Sequence, residues 1–174
     1  MFGWLARLFG RRRLPPIHIE PVVEIPLPPE DVFPWRLVGT CAVGGLRSLG
    51  FQPGSDLILI VSEGGRIVVD GLTAVQVARD PMRYLVGQER GEALGIGPLA
   101  GQVVLVAGIF GGALAQATPD GWRLAGEGTG LVVVAPDGAG YGLGASVGTI
   151  VAGFSPTGRT LVVADAAEVA VYGR

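Results

Sequence analysis

Few side chains in this sequence are suited to chemistry, and the types present narrow what they could do. The single histidine, His18, sits between Ile17 and Ile19 after two prolines. A histidine general base needs an acid that orients its ring, and in this extended apolar setting His18 reads as an exposed strand residue. The single cysteine, Cys41, lies in the run Gly-Thr-Cys-Ala-Val-Gly-Gly. A nucleophilic thiolate needs a neighbouring base or a positive environment, so Cys41 reads as a structural thiol buried among small neighbours. One cysteine and one histidine also preclude an intramolecular disulfide and the usual zinc cluster. All 13 basic residues are arginine, and the chain has no lysine and no asparagine. That removes Schiff-base and P-loop lysine chemistry and N-glycosylation.

The 15 acidic residues offer the widest choice. Asp56, Asp120, Asp137 and Asp165 fall at or near turns, where an aspartate bonds to its own backbone, and none sits in a calcium-loop pattern. Asp70 with Asp80, or Glu89 with Glu92, could form a carboxylate pair, but spacing along the chain does not fix the separation that glycosidic or two-metal chemistry requires. The glycine clusters at residues 91–97, 108–112 and 138–144 do not join a strand to a helix N-terminus, so they read as tight hairpins and not as phosphate cradles. The expectation is a chain with no catalytic, cofactor-binding or metal-ligating residue.

What positions these residues is a set of short strands. Hydrophobic residues make up 49% of the 174, charged residues only 16%, and 30 glycines with 13 prolines interrupt the chain throughout. This composition favours strands joined by tight turns over long helices. Three stretches differ in character. Residues 1–13 (MFGWLARLFGRRR) hold four arginines and no acid; as a helix they would set Phe2, Leu5 and Phe9 on one side, the pattern of an interfacial segment too short to span a bilayer. Residues 14–36 form a proline-rich linker with one candidate edge strand at residues 17–25. Residues 37–174 carry the β pattern. From residue 14 onward nine arginines face 15 acids, which makes the body a poor nucleic-acid binder.

Within the body, runs such as LVGTCAVGG, LRSLGF, LILIVS, RIVVD and VQVARD alternate with Gly, Pro, Ser and Asp, which reads as antiparallel strands joined by hairpins. The turn Phe51-Gln52-Pro53-Gly54-Ser55-Asp56 has a second copy in Phe154-Ser155-Pro156-Thr157-Gly158-Arg159, each followed by an apolar strand. Residues 101–110, 113–117, 122–124, 131–135 and 141–143 supply further strands around the turns at 118–121 and 136–138. An internal repeat of this kind signals units that bury their faces on one another.

The phrase Gly153-Phe154-Ser155-Pro156-Thr157-Gly158-Arg159-Thr160-Leu161-Val162-Val163-Ala164, followed by Val169-Ala170-Val171-Tyr172, resembles a WD40-like β-propeller blade, as do residues 48–80. The Trp-Asp pair typical of such blades is represented by Val69-Asp70 and by Val171-Tyr172. The resemblance implies a small all-β propeller of about four irregular blades. The last unit stops short of an outermost strand, which residues 17–25 are expected to supply unless two chains complete each other. Functionally, the expectation is a non-catalytic, cytoplasmic interaction or structural module that self-associates as a homodimer or binds a protein partner. Two alternatives are a hydrolase-type enzyme whose turn carboxylates hold a divalent metal, and a peripheral adaptor held at the inner membrane surface by residues 1–13.

Overall fold

The computed structural model describes residues 34–82, 90–126, 130–143 and 148–174. The arginine-rich leader, His18, the candidate strand at residues 17–25, Tyr84 and Glu89 lie outside the described residues. In chain order the strands are β1 (Arg36–Ala42), β2 (Leu46–Phe51), β3 (Leu57–Ser62), β4 (Gly65–Asp70), β5 (Val75–Asp80), β6 (Glu92–Leu94), β7 (Val103–Leu105), β8 (Ala107–Gly108), β9 (Arg123–Ala125), β10 (Val132–Val134), β11 (Gly140–Gly142), β12 (Val151–Phe154), β13 (Thr160–Ala164) and β14 (Glu168–Gly173). They form four separate antiparallel sheets: β11-β10-β9 (sheet I), β1-β14-β13-β12 (sheet II), β5-β4-β3-β2-β8 (sheet III) and β6-β7 (sheet IV). The fold is therefore all-β, with an architecture compatible with a small propeller.

Three apolar clusters set the order of the sheets. Trp35, Val133, Phe154, Leu161 and Val163 join sheet I to sheet II. Phe51, Ile58, Ile60 and Val69 of sheet III meet Val162, Ala164, Val169 and Val171 of sheet II. Leu59, Val61 and Val68, on the opposite face of sheet III, meet Ala93 and Val104 of sheet IV and Leu99 of the 3-10 turn that joins its strands. Alternate residues of β3 and of β13 thus enter different clusters, as the two-residue period of a strand requires. Because both faces are covered, these strands are continuous apolar runs.

The two large sheets are copies of one unit. Phe51 pairs with Ile58 as Phe154 pairs with Leu161, and both turns close with the same backbone bonds, Gln52 N–H to Leu57 and Ser155 N–H to Thr160. Each outer strand is bulged at the same place, between the partners of Val68 and Val69 in one sheet and of Val171 and Tyr172 in the other. The faces correspond as well: Phe51 and Ile58 look toward sheet II, while Phe154 and Leu161 look toward sheet I. Each large sheet therefore turns the same face to the sheet before it, so the repeat has a direction.

The sheet that contains β14 is completed by β1, with Arg36 opposite Gly173 and Ala42 opposite Glu168. Residues 37–45 adjoin β2 in sequence, yet β1 crosses to the other large sheet. Among the described residues, the edge position beside β14 expected for residues 17–25 is occupied by Arg36–Ala42. The segment 107–117 runs along β2 and β12, the equivalent strands of the two units: β8 pairs with β2, and Ala115 bridges Phe154. Gly50 and Gly153, equivalent in the repeat, make room nearby, since a Cβ on Gly50 would collide with the carbonyl of Leu105 and one on Gly153 with the side chain of Leu114. Gly153→Ala is expected to lower stability by about 1–3 kcal/mol through overpacking. Gly44→Ala, with no heavy atom within 4 Å of its Cβ, is expected to change it by no more than about 0.5 kcal/mol; urea unfolding midpoints measure both.

Candidate functional site

The shared geometry of the two inter-strand turns sets them side by side, bonded to each other. There a line of polar contacts crosses all four sheets. It starts at Asp120, in the turn before β9, whose carboxylate accepts two bonds from the Arg174 guanidinium at 2.6 and 2.7 Å. Arg174 also donates through Nε to the Gly158 carbonyl at 2.8 Å, and its guanidinium lies 4.9 Å from the Trp35 ring and 5.8 Å from that of Trp122. A bidentate, aromatic-flanked arginine is far better fixed than an ordinary surface ion pair.

The next link is Asp56. It is 8% exposed and accepts bonds from the hydroxyls of Thr157 at 2.6 Å and Thr160 at 2.9 Å, with the Arg159 guanidinium 3.5 Å away. These donors belong to the turn that is the repeat of its own, so two copies of one sequence element are bonded to each other. Gly71 lies against this contact: a Cβ there would stand 2.6 Å from the Asp56 carbonyl and 2.8 Å from Thr160 Cγ2. On the far side Ser55 Oγ donates to Gln52 Oε1, and Gln52 Nε2 donates to Gln102 Oε1 at 3.0 Å, just before β7.

Burial pushes the Asp56 carboxyl up, but the hydroxyls of Thr157, Ser155 and Thr160 and the charge of Arg159 together hold it below the usual carboxylate range. Asp120 is held far lower, chiefly by Arg174. The acids singled out by spacing are divided among separate duties. Asp70, Asp80, Asp137 and Asp165 each accept from a backbone N–H two residues on, and Asp80 also pairs with Arg66. The self-capping expected of the turn aspartates holds for Asp137 and Asp165; Asp120 bonds within its own turn, to its own backbone and Thr118, and also reaches Arg174, whereas Asp56 reaches to another sheet. Among the described residues, no three of His, Cys, Asp and Glu stand close enough to hold a metal ion. Asp70 and Asp80 sit at opposite ends of sheet III, where Asp70 opposes Leu57 and Val75 and Asp80 opposes Arg66.

No protein-family model, curated protein or solved structure matches this chain. The site must therefore be read from its geometry alone. A depression of about 360 Å³ opens beside the seam, lined by Ser55, Asp56, Asp70, Leu72, Thr157 and Arg159. Its buried carboxylate is already supplied with donors. A smaller cavity of about 150 Å³ lies at the inner edge of the sheets, among Gly108, Gly112, Leu114 and Val151. It is walled largely by backbone and small side chains, and Gln116 Nε2 bonds there to the carbonyls of Leu114 and Ala152. Cys41 is half-buried against the cluster between the two large sheets; its Sγ lies 3.9 Å from the Ala74 carbonyl, and burial, aided by Glu168, raises its pKa. Among the described residues, no helix is long and apolar enough to cross a membrane.

The chemistry of the seam is structural clamping, and it has a pH signature. A carboxyl whose folded pKa is depressed contributes stability above its ordinary pKa of about 4 and loses it as pH falls toward the folded value. Stability is expected to drop as the pH is lowered below about 4. Asp56→Asn is expected to lower the urea midpoint at pH 7 and to flatten its fall between pH 4 and pH 2. An unchanged midpoint at pH 7 would show that the buried carboxylate clamps nothing.

Proposed function

We propose that this protein is a non-catalytic interaction module that self-associates, built from degenerate WD40-like blades. The blade reading is supported by the hairpin order shared by the two large sheets, by their matching bulges and by the completion of one of them by β1. The observation that carries the functional reading is the outer face of the β6–β7 sheet. In these strands Ala93 and Val104 are buried against β3 and β4, while Leu94, Val103 and Leu105 are 43%, 57% and 73% exposed. A paired sheet with one face packed and the other apolar and open is the form of a surface meant to be covered. The carboxylates, by contrast, are taken up by turn capping and inter-sheet bonds, which favours the interaction reading over the hydrolase alternative.

Light scattering coupled to size-exclusion chromatography tests the reading. The full chain at micromolar concentration is expected to run above the 17.9 kDa of one copy. Leu105→Asp, at an exposed position, is expected to return it to one copy without shifting the urea midpoint. A wild-type chain of single-copy mass at all concentrations would overturn self-association.

A further inference from the structure

Resting on that reading, we infer that the partner of the open β6–β7 face is the outer face of the β9–β11 sheet in a second copy, so that two chains close head to tail into one ring of eight sheets. The argument begins with the stacking order. Sheet I packs on sheet II, II on III and III on IV. The two large sheets use opposite faces for their two neighbours, always in the same sense, so the stack has a direction. Its ends are two different surfaces, the outer faces of sheets IV and I. An end-to-end contact between unlike surfaces is heterologous, and such contacts either close into a ring or run on as a filament. The segment 107–117, which lies along the equivalent strands β2 and β12 of the two large sheets, marks the common axis needed for closure. Eight sheets also fall within the usual size of the propeller class.

The two faces complement each other in chemistry. By strand alternation, Glu92 shares the open face with Leu94, and the register places it opposite Leu105. On the β9–β11 sheet, Leu124 and Val133 turn toward sheet II, which leaves Arg123, Ala125, Val132 and Val134 on the outer face. Arg123 and Ala125 are exposed, and both valines are half-buried. One face therefore offers an acid among Leu and Val side chains, and the other a base among Val and Ala. Among the described residues, neither Glu92 nor Arg123 has an ion-pair partner. The strands on these faces are only three residues long, so each contact is small. Closing a ring forms two such contacts at once, and the second is intramolecular in its cost.

Face-specific variants test the arrangement by mixing. Leu105→Asp disables one face and Ala125→Glu the other, both at exposed positions. Each variant alone is expected to be a single copy, because every contact in its dimer would contain a damaged face. Mixed together, they are expected to recover a two-copy species, held by one intact contact and several-fold weaker than wild type. Glu92→Arg and Arg123→Glu are each expected to weaken association several-fold, and their combination in one chain to restore it, which also guards against misfolding as the cause. A wild-type single copy would defeat the self-association reading itself. Wild-type dimers with an Ala125→Glu variant that still dimerises normally would overturn the head-to-tail arrangement while leaving self-association standing. Masses that grow past two copies with concentration would overturn ring closure.

Discussion

The pairing of β1 with β14 is the contact on which the rest of the arrangement depends. It joins residues 126 to 137 positions apart along the chain, so its loop-closure cost must be met by what it brings together. It places Trp35 against Phe154 and Trp122, with ring centroids 5.2 and 6.1 Å apart. It carries Cys41 to the cluster between the two large sheets, and it covers an edge of β14 that would otherwise offer unpaired backbone groups. Without β1 the sheet would lose its outer strand and Arg174 the ring of Trp35 on which it rests.

Around that closure, one structural unit is used repeatedly. Each large sheet turns a fixed face to the sheet before it and the opposite face to the sheet after it, and the two inter-strand turns meet because equivalent turns of neighbouring units stand side by side. The polar seam follows from this. Asp56 in one copy of the turn finds Thr157, Arg159 and Thr160 in the next, so the repeat supplies its own bonding partner. Apolar packing between faces gives the bulk of the attraction, while the seam fixes how one sheet is set against the next.

Much of the fold was legible in the sequence. Val, Ile and Leu runs ended by glycine and proline correspond to β2, β3, β4, β12 and β13, and the Phe-x-Pro repeat marks equivalent turns. Other features were hidden for physical reasons. Residues 37–45 show the same local pattern whether they form a hairpin with β2 or pair with β14, and only the tertiary contact decides. An aspartate at a turn looks the same when it caps its own backbone, as Asp137 does, as when it reaches another sheet, as Asp56 does. The open apolar face of the β6–β7 sheet was least legible, because strands as short as Glu92–Leu94 and Val103–Leu105 contain too few residues to reveal which face is covered. The one signal was the repeat itself: a unit unable to bury both faces alone leaves something open at the ends of the stack.

The geometry of the β1–β14 pair also sets how the molecule responds to pulling. Arg36 and Gly173 face each other at the same end of the ladder, so tension applied between these two residues acts across the strands and not along them. The hydrogen bonds would be loaded one at a time, from that end inward, and the pair would unzip at low force. Traction along the strand axis, applied through Ala42 and Gly173 at opposite ends of the ladder, would instead load every rung together in shear. The protein is thus mechanically soft in one direction and stiff in another, although the bonds involved are the same.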